Sequence, residues 1–288
     1  MNTSSSPTRA LVLGGGGSTG NAWLVGVVAG LLEGGVDVTD ADLVVGTSAG
    51  ATAAVQITTA DPAAVYTATL APVPPRQTGP GRPVSDQLER MLAIIDGSDG
   101  VVEMRRRLGA AALERDAEAD GTWQPRWRST VAARLPSQDW PEQLIRLTVL
   151  EADTGEPAAF DRDSGVALAD AVAASCSNGL PYWIDGRPYL DGGYRANAEN
   201  ADEAAGHDRV LVLSPFGGRS LHPEEWGTHL AAQVDALRAD GSAVEVIGPE
   251  SEELFGTNAM DVSLRQAAAQ AGHADGKAAV ERVGELWR

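Results

Sequence analysis

Asp42-Leu43-Val44-Val45-Gly46-Thr47-Ser48-Ala49-Gly50-Ala51-Thr52-Ala53-Ala54-Val55 is a short apolar run that stops at glycine, turns through a serine and restarts in small residues. The pattern predicts a buried strand to Val45, a sharp turn over Gly46–Gly50 and a helix continuing towards Thr59. Upstream, Ala10-Leu11-Val12-Leu13 breaks into Gly14-Gly15-Gly16-Gly17, after which Trp23, Val27, Val28, Leu31 and Leu32 recur at helical spacing and stop at Gly34-Gly35. Two strand–turn–helix units follow one another. Strands that are apolar throughout and alternate with helices are what a parallel sheet covered on both faces requires.

Downstream the pattern changes between about 61 and 140. Pro72, Pro74, Pro75, Pro80 and Pro83 mark a loop, and Val84, Leu88, Met91, Leu92 and Ile95 then recur as one helix face, so this stretch reads as an insertion over the sheet. The sheet is expected to resume with Leu147–Leu150, followed by a helix over 168–174 and a strand Pro188-Tyr189-Leu190 that ends at Asp191-Gly192-Gly193. Arg209–Leu213 and Ala243–Ile247 read as further strands, with helices over about 224–239 and 261–287. The fold class expected is α/β: three layers, a mainly parallel sheet flanked by helices, in a single domain over 1–288 with core motifs at about 9–215.

Composition bounds the partners. Among 288 residues, 40 Asp+Glu stand against 22 Lys+Arg, a formal net charge of −18, so no nucleic-acid partner is expected, because phosphate binding depends on Lys and Arg. With 43% hydrophobic and 22% charged residues, a normal core is available. The longest apolar run, Ala22–Leu32, is broken by glycine and falls short of the roughly 20 residues of a membrane span. The polar stretch Met1–Arg9 lacks the apolar segment of a signal peptide, and a cytoplasmic location is the expectation. Cys176, the single cysteine, reads as a buried inert thiol. Arg105-Arg106-Arg107 with Arg126, Arg128 and Arg134, near Trp123, Trp127 and Trp140, reads either as arginines paired with acids such as Glu103, Glu114 and Asp116 over packed tryptophans, or as a surface for transient contact with a membrane.

Gly46-Thr47-Ser48-Ala49-Gly50 fits G-x-S-x-G in the setting that motif needs, a strand before and a helix after. Such a turn projects a serine oxygen from the sheet, and the flanking glycines make room for it. A helix cap is the plainer reading of the same serine. Gly15-Gly16-Gly17-Ser18-Thr19-Gly20 fits G-x-G-x-x-G, which can receive either a dinucleotide pyrophosphate or an oxyanion on its backbone amides. The dinucleotide reading wants an acid at the end of the second strand, and Gly46-Thr47-Ser48 stands there instead. For a base to activate Ser48 the candidates are His207, His222, His229 and His273, or Asp191 at a strand end.

Taken in order, Gly15-Gly16-Gly17-Ser18-Thr19-Gly20, Gly46-Thr47-Ser48-Ala49-Gly50 and Asp191-Gly192-Gly193 resemble the three signature motifs of the patatin-like phospholipases, lipid acyl hydrolases that use a Ser–Asp dyad. The alanine-rich 169–181 stretch, with Gly179-Leu180-Pro181, is similar to the helix and turn before the third motif. The resemblance implies a patatin-like fold, Ser48 as nucleophile and Asp191 as its base. It also implies the amides around Gly15, Gly16 and Gly17 as oxyanion hole, with Gly20, Gly46, Gly50, Gly192 and Gly193 as supporting glycines. A lipid or other acyl ester is the implied substrate, and no metal or organic cofactor is implied. One position departs: Thr19 stands where the family usually carries Arg or Lys. Thr19 keeps open a non-catalytic binding protein of the same shape, the four histidines keep open a histidine-dependent esterase, and the glycine loop keeps open a nucleotide-binding module, beside the hydrolase.

Overall fold

A computed structural model describes residues 7–72, 84–250, 253, 254 and 256–288. Pro74, Pro75, Pro80 and Pro83 lie outside the described residues. The first half contains β1 (Arg9–Leu13), α1 (Gly17–Glu33), β2 (Leu43–Gly46), α2 (Ala49–Thr59), α3 (Pro62–Thr69), α4 (Val84–Asp96), α5 (Val101–Ala117) and α6 (Trp123–Ala132). The second half contains β3 (Ile145–Glu151), β4 (Pro157–Phe160), α7 (Leu168–Ser175), β5 (Tyr182–Ile184), β6 (Arg187–Asp191), β7 (Arg209–Leu213), α8 (Leu230–Ala239), β8 (Ala243–Ile247), α9 (Arg265–Ala278) and α10 (Val280–Trp287).

The strands form one sheet whose hydrogen-bonded neighbours run β5-β6-β3-β2-β1-β7-β8, with β4 also on β3. From β3 to β8 all neighbours are parallel, whereas β4, β6 and β5 join antiparallel. The sheet is thus mixed, with its parallel part where the apolar strands predict it. β4 and β5 were not legible, because neither Pro157–Phe160 nor the three-residue Tyr182–Ile184 is a continuous run of branched apolar residues like β1, β2 or β7.

Each parallel strand buries alternate residues on opposite faces. Leu11, Leu13, Val44, Leu147, Leu211 and Leu213 point into a core with α1, α2, α7 and α9, while Ala10, Val12, Leu43, Val45, Val210 and Val212 face α8. Side chains buried so fully contribute roughly 1.5–3 kcal/mol each. Three layers result, as expected. The 61–140 stretch does not lie over one side as a single insertion. Its α3 packs beside α1 and α9, its α5 sets Ala112 against Leu150, Ala152 and Leu190 of the sheet, and its α6 packs on α7.

Helix α1 is buried on nearly all sides because α9 crosses it at backbone contact. A Cβ on Gly26 or Gly30 would sit 2.2 Å and 2.3 Å from carbonyl oxygens of α9, and one on Gly272 or Gly276 would meet α1 equally closely. The expected helix over 261–287 breaks after Ala278 into α9 and α10, and that over 224–239 begins as a 3-10 turn, Glu224–Trp226, which ends at Gly227 with φ +64° before α8 starts.

The turn from β2 into α2 is equally tight. A Cβ on Gly50 would stand 1.9 Å from the Leu13 carbonyl oxygen, so only glycine lets α2 start against the end of β1. Gly50→Ala is expected to lower the thermal midpoint by about 5 °C or more, as overpacking against fixed backbone costs roughly 1–3 kcal/mol. Gly284→Ala in α10, whose nearest neighbour would be 3.4 Å away, should leave the midpoint unchanged or raise it. Circular-dichroism melts compare the two, and equal midpoints would contradict this account of Gly50.

Candidate active site

Register alone brings the second and third glycine motifs together. Leu147 of β3 pairs with Gly46 on one edge and with Phe160 of β4 on the other. Val149 pairs with Asp191 and, across the strand, with Ala158 of β4. A residue has two edges, so β2 and β6 share the same edge of β3, running towards each other and ending almost head to head. β2 delivers Ser48 and β6 delivers Asp191 to that junction. The Ser48 hydroxyl donates to Asp191 Oδ2 at 2.7 Å.

Ser48 has φ +53° and ψ −113°, a backbone conformation that L residues avoid. Strain of this kind persists only where surrounding contacts over-determine it. Here the Ser48 amide donates to Ser175 Oγ at 3.0 Å, the Thr47 amide donates to the Leu13 carbonyl at 3.1 Å, and the Cys176 thiol donates to the Ser48 carbonyl at 3.0 Å. Burial of the sulfur, with the Asp191 charge adding to it, pushes the Cys176 thiol up to about 12, so it stays protonated, although the residue as a whole is half-buried rather than buried as expected.

Asp191 is 7% exposed and holds its second oxygen on the Gly193 amide at 2.9 Å. Burial raises its carboxyl to about 6, against the lowering effect of the Ser48 and Gly193 hydrogen bonds. Gly192 is required by closeness: a Cβ there would sit 2.2 Å from Thr148 Oγ1.

The glycine loop approaches from β1. A Cβ on Gly15 would stand 3.5 Å from the Ser48 Cβ, which places this loop directly beside the serine. Its amides are not equivalent. Gly14 donates to the Leu213 carbonyl, Gly15 to the Ala198 carbonyl at 2.7 Å and Thr19 to the Ala259 carbonyl. The Gly15 amide is therefore committed, a correction to the expectation that all three of Gly15, Gly16 and Gly17 donate into the site. Gly16 and Gly17, at the start of α1, have no amide acceptor among the described residues, as the first turn of a helix leaves its amides unpaired. Gly17 takes φ +63° and lies against Ala259 and Met260. Gly20 packs on Pro215.

Thr19 is buried, and the cation missing from this loop arrives from elsewhere. Arg265 of α9 donates to the Ser18 carbonyl at 2.8 Å and to Asn21 Oδ1 at 3.1 Å. No spacing rule could have paired residues 247 apart in sequence.

Each histidine has partners other than Ser48. His207 meets the Ala204 carbonyl, His222 meets Thr228, His229 meets the His222 carbonyl, and His273 meets Glu33. The tryptophans are packed: Trp127 and Trp140 donate to the carbonyls of Ala173 and Val166, and Trp123 meets Tyr182 edge-on. Arg107 pairs with Glu103, Arg128 pairs with Asp170, and Arg134 lies over the Trp127 ring. The tryptophans are packed as the first reading expects, and the arginines follow it in part. Arg107 and Arg128 are paired with an acid, the second with Asp170, which the sequence did not suggest, while Arg105 donates to the Arg195 carbonyl and leaves its Nε without a partner among the described residues.

The sequence reading missed the segment that clamps all three motifs, Asn197-Ala198-Glu199-Asn200. Asn197 Oδ1 accepts the amides of Glu199 and Asn200 at 2.9 Å and 2.7 Å, closing a local turn. From it Ala198 holds the glycine loop, and the Asn200 side-chain amide donates to Thr47 Oγ1 and to the Gly192 carbonyl, both at 3.0 Å. Asn200 itself has φ +54°, a region asparagine tolerates better than most residues.

A serine on a strained strand-to-helix turn, facing a buried carboxylate at the carboxyl edge of an α/β sheet, is a hydrolase arrangement. The chain belongs to the patatin-like phospholipase family, whose model matches residues 11–204, and it is by that membership an enzyme acting on ester bonds. Among solved structures it is similar to VipD from Legionella pneumophila at 15% identity and a TM-score of 0.47, covering 96% of this chain and 67% of VipD. It is also similar to the type III effector protein ExoU at 16% identity and a TM-score of 0.36, covering 94% of this chain and 53% of ExoU. No curated protein matches its sequence.

Asn200→Ala should lower the unfolding free energy by about 2 kcal/mol, since buried hydrogen-bond partners are left unpaired. Urea denaturation measures this, and an unchanged midpoint would remove Asn200 as the clamp.

Proposed function

We propose that the chain hydrolyses acyl esters of lipids through Ser48 and Asp191, and the 2.7 Å hydrogen bond from the Ser48 hydroxyl to Asp191 carries that reading. In the first half-reaction Ser48 Oγ attacks the ester carbonyl carbon while Asp191 takes its proton. The tetrahedral oxyanion is received by the unpaired amides of Gly16 and Gly17 at the positive end of α1. Collapse of the intermediate breaks the bond to the alcohol, which leaves with the proton from Asp191. Water then attacks the acyl-serine, with Asp191 again the base, releasing the acid and restoring Ser48.

Three features favour a dyad over a triad. Asp191 already occupies the Ser48 hydroxyl, burial makes its carboxylate a stronger base than an exposed aspartate, and the four histidines are engaged elsewhere. Gly15 contributes closeness to the serine rather than an amide. Arg265 supplies a positive charge beside the loop that Thr19 does not. Met260, 67% exposed and next to Gly17, offers an apolar edge by which an acyl chain can approach. Contact with a membrane surface, where it occurs, is taken as transient; separately, no helix among the described residues is long and apolar enough to cross a membrane.

Hydrolysis of 4-nitrophenyl esters and of a fluorogenic phospholipid tests the reading. Ser48→Ala and Asp191→Asn should each lower kcat by about 1,000-fold or more with folding intact. Activity surviving in Ser48→Ala, or a wild type inert on every ester, would overturn it.

The acid side of the pH profile gives a second test. A base must be deprotonated to act, so kcat/KM should fall about tenfold per pH unit below the Asp191 value of about 6. Stability moves the other way. Because folding raises this carboxyl above its unfolded value of 3.8, its contribution is fully present below that value and is lost as pH rises through about 6. The wild type should therefore lose stability relative to Asp191→Asn between pH 4 and pH 8, read as a fall in the wild-type melting midpoint minus that of the variant.

A further inference from the structure

A second carboxyl lies beneath the site, and the mechanism above does not use it. Glu199 is 0% exposed, in the clamp segment between the glycine loop and the end of β7. Its Cγ is 3.2 Å from where a Cβ on Gly14 would stand, so the side chain fills the space under that loop. One oxygen, Oε1, accepts from the Ser214 hydroxyl at 2.6 Å, and Ser214 Oγ in turn accepts the Gly218 amide at 2.7 Å. The other oxygen, Oε2, has no partner among the described residues.

The charged groups of the surrounding elements are turned elsewhere. The glycine loop and the turn after β7 bring no titratable side chain up to Gly218. On the segment before Glu199, Asp191 is bonded to Ser48, and Arg195 is paired with Glu203 at 2.6 Å and with Asp202 at 3.5 Å. Beyond Asn197, which donates to the Thr228 carbonyl, His222 and His229 bond to Thr228 and to the His222 carbonyl. A carboxylate with one bare oxygen and no cation is costly in such a place, because burying an unpaired charge costs far more than burying a neutral polar group.

Resting on the Ser48–Asp191 reading, we propose that Glu199 works as a protonated, uncharged carboxylic acid, a positioning group that supports the glycine loop from below and keeps negative charge away from the developing oxyanion. Losing that proton places an uncompensated anion under the amides that must receive another. The charge opposes the tetrahedral intermediate and strains the Gly14 contact that sets the loop beside Ser48. Burial supports the assignment, holding this carboxyl up at about 7 against the lowering effects of the Ser214 hydroxyl and its own backbone amide. Thr47 Oγ1 donates to the Glu199 carbonyl at 3.3 Å, a further bond through which the same segment reaches the serine turn.

The full chain and its Glu199→Gln variant, which keeps shape and an acceptor for Ser214 but cannot ionise, provide the test. The wild type should lose kcat/KM on 1-naphthyl butyrate by about tenfold per pH unit above about 7. Glu199→Gln should stay within about threefold of wild type at pH 6 and lack the alkaline fall. The same alkaline fall in Glu199→Gln, or a folded Glu199→Gln that is inactive at every pH, overturns the proposal.

Infrared difference spectra at pH 6 between Asp191→Asn and Asp191→Asn/Glu199→Gln supply a readout without turnover. They should contain the carbonyl stretch of one protonated carboxyl, and its absence overturns the proposal. Should Ser48→Ala keep full hydrolysis, the site reading fails on that result alone. The infrared band then still reports whether Glu199 is protonated.

Discussion

The head-on meeting of β2 and β6 along one edge of β3 is the constraint on which the site depends. A parallel strand and an antiparallel one cannot both continue along the same edge, so each must stop, and Gly46 and Asp191 are where they stop. Glycine is needed on both sides of the junction: Gly50 lets α2 start against the Leu13 carbonyl, and Gly192 lets the chain turn over Thr148. Strain at Ser48 is the residue of that fit. The antiparallel arm formed by β5 and β6 thus has a reason beyond covering the sheet, since a strand approaching from the opposite direction is what aims a carboxylate at a serine leaving β2.

Behind the junction the structure is polar where a core would be apolar. Thr47, Thr148, Ser175, Glu199, Asn200 and Ser214 are each fully buried. Most of their polar atoms are paired, which holds three loops from different strands in one geometry, yet Glu199 Oε2 and Asn200 Oδ1 are not. Unpaired buried acceptors cost stability. The apolar layers on both faces, with α1 and α9 in backbone contact, supply the stability that offsets this cost. Function is concentrated at the site because rigidity has been provided elsewhere.

The parts legible in the sequence are those with local signals. Apolar strands of four or five residues, the glycine turns after β1 and β2 and the Asp-Gly-Gly after β6 each state their geometry within six residues. Glu199 and Asn200 were not legible, because polar residues after a glycine turn look like a solvated loop until the fold buries them. Arg265 was not legible because its partner Ser18 is 247 residues away. Nor was the commitment of the Gly15 amide, since a glycine motif specifies an approach of backbone without saying which amides the neighbouring Ala198 will take. The role of Gly272 and Gly276 appears only against Trp23 and Val27 of α1.

The placement of charge around the site fits what the proposed serine–aspartate pair would need. An aspartate acting without histidine gains basicity from burial and would lose it beside a cation, because an opposite charge favours the ionised, weakly basic form. Among the described residues Asp191 bonds to the Ser48 hydroxyl and the Gly193 amide and to no cation. Arg195, four residues along the chain, is held by Glu203 and Asp202, and Arg134 is drawn over Trp127. In the proposed reaction the glycine loop has the opposite need, since negative charge would develop there, and Arg265 donates to the Ser18 carbonyl beside the first turn of α1. Nearly all the positive charge of this chain, which has a net charge of −18, is arginine, with Lys277 its single lysine. Asp191 on one side of the serine bonds to no cation among the described residues, while Arg265 bonds to the loop on the other, an asymmetry that suits the proposed roles of base and oxyanion site.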